Sequence, residues 1–63
     1  MCIATVYVDS GEERKEAMRD VIQIEAERTG FRLVSLFGEE KHIKGRVKSV
    51  DFWQEHSVLI EKD

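Results

Sequence analysis

The chain has 63 residues, 41% apolar and 37% charged, with 13 acidic against 10 basic residues, one cysteine and no proline. That is enough for one small domain over residues 1–63, and a core of this size buries only about 60% of the surface its unfolded chain exposes. A lone cysteine excludes an intrachain disulfide and a conventional four-ligand zinc site within one chain, and a net charge of −3 argues against a bulk nucleic-acid binder. The first predicted element is a strand, Cys2 to Val8, whose alternation puts Cys2, Ala4, Val6 and Val8 on one face. Asp9-Ser10-Gly11 ends it in a turn. From Glu12 to Arg28 the pattern is divided. Ala17, Met18, Val21, Ile22 and Ala26 could line a helix, whereas Val21 to Glu27 alternates with Ile22, Ile24 and Ala26 facing one way. A strand over 20–27 pairs naturally through Thr29-Gly30 with the apolar run 31–37, so strand is the expectation there. Residues 12–19 are then left to a loop or a helical turn.

Gly38-Glu39-Glu40 makes the next turn, and 42–48 alternates again with Ile43, Gly45 and Val47 inward. Gly45 marks a bulge or a bend at a barrel corner. Val50 to Trp53 is read as a continuation of that strand, with one of the adjacent Phe52 and Trp53 pointing inward and the other outward. Gln54-Glu55-His56 is a polar turn, and Ser57 to Glu61 is a last short strand. Strands at roughly ten-residue spacing, each closed by a turn, describe an all-β meander curled into a small barrel. Phe31, Leu33 and Phe37 are assigned to its core.

Several chemistries have no residues to carry them. The four glycines are isolated, so none builds a phosphate loop, and no nucleophile elbow or H-E-x-x-H pair occurs. A barrel this small is expected to lack a pocket of the usual substrate size, ~300–1,000 Å³, and the chain reads as non-enzymatic. No apolar run approaches the ~20 residues of a membrane helix, and a cytoplasmic location is expected, where a single thiol stays reduced. The remaining support for so small a core is self-association.

Cys2 is notable for its position. If Met1 is trimmed, the α-amine and thiol of Cys2 can close a five-membered chelate ring, with the Ile3 amide nitrogen as a further in-plane donor. Flat nitrogen and thiolate donors suit Ni(II) or Cu(II) better than tetrahedral zinc, and two chains meeting at Cys2 could complete such a site. With Met1 retained, the donors are its amine, the Cys2 amide and the Cys2 thiolate. The competing reading is a buried small hydrophobe in line with Ala4, Val6 and Val8.

A second candidate surface is the basic stripe His42, Lys44, Arg46 and Lys48, with Lys41 beside it. With Trp53 or Tyr7 as a stacking platform it could take single-stranded RNA. The alternative is a solvated strand face on which Gln23, Glu25 and Glu27 offer partners. His42 and His56 are otherwise isolated surface histidines.

The start Met1-Cys2-Ile3-Ala4, the turn Leu36-Phe37-Gly38-Glu39-Glu40, the stretch Gly45 to Asp51 and the final Val58-Leu59-Ile60 together resemble the CooT-type nickel-binding accessory proteins. The resemblance covers nearly the whole chain. It implies a small SH3-like barrel, a homodimer with Cys2 as the shared nickel ligand, and a role in maturing carbon monoxide dehydrogenase as client. Similar short proteins also carry a predicted RNA-binding label. The combined expectation is an all-β, SH3-like or OB-like barrel of short antiparallel strands. It would be a homodimer that binds Ni(II) through Cys2 for a client metalloenzyme, with RNA binding through residues 42–48 as the alternative.

Overall fold

Five strands pair edge to edge, and the sheet closes on itself. The computed structural model describes residues 3–63. β1 spans Ala4–Ser10, β2 Glu13–Ala26, β3 Gly30–Ser35, β4 Glu40–Asp51 and β5 Ser57–Lys62. Their order around the barrel is chain order. The consecutive pairs are antiparallel, and the closing pair, β1 with β5, is parallel from Thr5↔Ser57 to Asp9↔Glu61. Parallel closure follows from the odd number of strands: when direction alternates along the chain, the first and fifth run the same way. Ala4, Val6, Val21, Leu33, Val58 and Ile60 form the buried cluster, with Ala17, Met18, Ile24, Phe31 and Ile43 packed against it.

The expectation of a loop or helical turn over 12–19 is corrected: Glu13–Ala26 is one strand of 14 residues. Its first half turns back at Gly11, in a left-handed conformation with φ 72°, and pairs with β1 from Ser10↔Glu13 to Val6↔Met18. Helix propensity differs by only a few tenths of a kcal/mol per residue among these residue types. A full antiparallel ladder and the packing of Ala17 and Met18 on the core outweigh it.

The second half of β2 shows the other correction. Asp20 adopts a left-handed φ of 54°, its carbonyl accepts the Leu36 N–H at 2.7 Å, and the register with β3 slips between Val21 and Gln23. An extra residue in a strand exchanges its two faces. Val21 is therefore buried and Ile24 packs on the core, while Ile22, expected to face the same way as Ile24, is 48% exposed.

Two more corrections concern strand ends. The strand expected over 31–37 stops at Ser35, whose buried hydroxyl accepts the N–H groups of Phe37 at 3.2 Å and Glu39 at 3.1 Å. That turn throws Phe37, assigned to the core from sequence, out to 75% exposure. β4 does run on through Val50 but ends at Asp51, so Phe52 and Trp53 are not in a strand and both are exposed. Val47, expected inward, is 44% exposed beside a register slip between Val47 and Ser49. Of the bulge or bend expected at Gly45, the register slip lies just after Val47, while Gly45 is where β4 passes from pairing with β3 to pairing with β5. Gly45 itself sits at φ 148°, where an added Cβ would strike the Glu61 carbonyl, so the glycine allows β4 and β5 to approach closely.

Candidate functional site

Cys2, the metal ligand expected from sequence, lies outside the described residues. The barrel next to it is described. Ala4, the first residue of β1, pairs with Val21, and these two share a surface hollow of about 240 Å³ with Ile24 and the half-exposed Ile22 and Phe52. Phe52 is held there by the loop after β4. The Asp51 carboxylate accepts the N–H groups of Trp53 at 2.8 Å and Gln54 at 2.9 Å. These bonds favour the charged form, and that of Gln54, then that of Trp53, hold the Asp51 carboxyl below the ordinary carboxylate range. The bulge in β2 and the Asp51 loop thus present an apolar surface beside Ala4, the first residue of β1. Sequence reasoning missed it because Ile22 looked like core. The available signal was Asp51 followed by residues with free backbone N–H groups, the pattern of an Asx turn.

Among the described residues no group of three or more His, Cys, Asp or Glu is placed to hold a metal ion. His42 Nδ1 lies 2.9 Å from Glu27 Oε1. His56 takes a left-handed φ of 51° and contributes its carbonyl, which accepts the Thr5 N–H at 3.0 Å. The two histidines do not converge on one site.

The members of the basic stripe are all exposed, and three of the four stand beside carboxylates: His42 with Glu27, Arg46 with Glu61 at 3.8 Å, and Lys48 with Asp9 at 3.0 Å. The hydrogen bond to Asp9, and then its charge, raise the Lys48 pKa. Of the polar face expected opposite, Glu27 meets His42 and Glu25 pairs with Arg32 instead. The Arg14 guanidinium lies 5.9 Å from the Tyr7 ring centroid, a cation–π distance, and Trp53 is 88% exposed.

The family model of the CO dehydrogenase accessory protein CooT matches residues 1–61. The chain belongs to the CooT family. CooT is an accessory protein of CO dehydrogenase and not itself an enzyme. Among solved structures, a candidate CooT from Carboxydothermus hydrogenoformans superposes with a TM-score of 0.89 over 98% of each chain, at 24% identity. At that identity the likeness concerns the fold, and it bears out the small all-β barrel expected from sequence. No curated protein matches the chain. No helix of the described residues is long and apolar enough to cross a membrane.

Proposed function

We propose that this CooT-family chain is a nickel-binding accessory protein that takes Ni(II) as cargo through Cys2, at the interface of a homodimer, for delivery to CO dehydrogenase. The observation that carries the reading is the family match beginning at residue 1, which takes in Cys2 together with the fold built behind it. The donor chemistry suits the cargo. A thiolate, joined by backbone nitrogen, provides the soft and in-plane donors that Ni(II) accepts, and a second copy doubles the set. The half-exposed Ile22 and Phe52, beside Ala4, offer apolar surface of the kind that protein interfaces cover. A cargo site also needs release, and a site completed between two chains opens when they separate.

The test is calorimetric titration of Ni(II) into the wild-type protein and into Cys2→Ser, with and without Met1. The reading expects binding that is lost on replacing the thiol. It also expects binding to weaken as pH falls, because the thiol must give up its proton to the metal. Equal affinity in wild type and Cys2→Ser would overturn it.

A further inference from the structure

The fold leaves one opening in the barrel wall that the metal reading does not use. β2 pairs with β1 over Glu13–Met18 and with β3 only from Val21 onward. β4 pairs with β3 over Glu40–Lys44 and with β5 only from Gly45 onward. Among the described residues, therefore, one edge of β2 before the bulge and one edge of β4 before Gly45 have no partner strand. The two edges meet across a single hollow of about 490 Å³, larger than a barrel of this size was expected to offer. Its apolar floor includes Val8, Ala17 and Ile43. The carbonyl of Ala17 points into the gap, where it accepts a hydrogen bond from Lys41 Nζ at 2.9 Å. A side chain has taken the place that a neighbouring strand's N–H would fill.

The charge around this opening is opposite to that of the molecule. The chain carries five lysines and a net charge of −3, yet four of the five, Lys15, Lys41, Lys44 and Lys62, line this one hollow. The carboxylate on the rim, Glu16, is engaged by Arg19 at 3.0 Å. Among the described residues no carboxylate lies within ion-pair distance of Lys41, Lys44 or Lys62, in contrast to Lys48, which is paired with Asp9. Lysines on a free edge repel a second lysine-bearing edge, which disfavours another copy of the same face, and they attract an edge that carries acidic side chains.

We infer that this opening is a docking site for an extended acidic segment of a partner protein, which adds as a strand between β2 and β4. Two free edges supply main-chain donors and acceptors, the mode of recognition called β-augmentation. The lysine rim sets the preference for Glu and Asp, and the floor takes the alternate apolar side chains. Single-stranded RNA would also meet the charge, but the hollow has no Phe, Tyr or Trp on its wall and its one ring, His42, lies against Glu27, whereas unspecific strand binders rely on a platform of stacked aromatics. The site lies on residues other than Cys2, so it stands or falls apart from nickel binding.

The probe is a synthetic eight-residue peptide that alternates Glu with Val, titrated into the full-length protein and followed by backbone amide NMR. The expected result is shifts concentrated on residues 15–17 and 41–44. Lys44→Glu combined with Lys62→Glu, at exposed positions that circular dichroism would confirm as folded, should weaken binding about tenfold or more, as reversal of facing charges does. The same peptide N-methylated at alternate backbone amides keeps its charge and loses its ladder donors, and it should bind at least about tenfold more weakly. Equal binding of the methylated peptide would overturn strand addition. Absence of shifts at millimolar peptide, shifts centred elsewhere, or tighter binding of an oligouridine strand at the same amides would overturn the site.

Discussion

Leu33 and Leu36 are three residues apart in one apolar run, yet Leu33 is fully buried and Leu36 is 46% exposed. The residue between them that decides this is Ser35, buried to 1% because its hydroxyl holds the turn. Leu33→Ala should lower stability by about 2–5 kcal/mol, whereas Leu36→Ala should stay within about 1 kcal/mol; chemical denaturation of both variants checks this. Periodicity marked the run as apolar but could not mark where it ends, since a serine acting as a turn acceptor looks like any other polar residue in a strand. Asp51 makes a second residue-scale case. Its carboxyl is held below the ordinary range by the Gln54 and Trp53 N–H groups, so its stabilising effect is present above pH about 4 and is lost as pH falls through the folded-state value. Trp53 fluorescence in wild type should therefore change on acidification below that range. Asp51→Ala should show the altered signal already at neutral pH and no such step.

At the scale of elements, the strands after Gly30 were legible because alternation, turn residues and β-branched side chains agree there. β2 was legible only in part. Its first half is Glu, Arg and Lys around Ala17 and Met18, a composition that suits a helix, and what makes it a strand is the partner β1, a non-local cause. Its second half carries a bulge that exchanges faces, so clean alternation of Ile22 and Ile24 pointed to a shared face that the structure does not have. The turn between β3 and β4 is held by one side chain, Ser35, together with backbone bonds. Ser35→Ala would leave the Phe37 and Glu39 N–H groups without that acceptor and should cost about 1–3 kcal/mol, measurable as a lower denaturation midpoint. Retention of full stability would mean the turn closes on its backbone bonds alone, Gly38 N to the Ser35 carbonyl and Ser35 N to the Glu39 carbonyl.

For the whole molecule, the barrel answers part of the question its length posed. A closed ladder leaves few free edges, and the buried cluster draws on β1, β2, β3 and β5. Even so, Ile22, Val50, Phe52 and Trp53 remain exposed, apolar surface of the kind that the proposed homodimer would need to cover. The sequence made Cys2 notable by position and the family match takes it in. The basic stripe was legible as exposed but not as partly paired, because pairing of Arg46 with Glu61 and Lys48 with Asp9 depends on which strands become neighbours. The measurement that tests the central claim most directly is a Ni(II) titration followed by sulfur-to-nickel charge-transfer absorption, with mass read at each point by sedimentation. The account predicts saturation at one nickel per two chains, with the dimer present at saturation and the absorption absent in Cys2→Ser. Saturation at one nickel per monomeric chain, or an unchanged spectrum in Cys2→Ser, would contradict it.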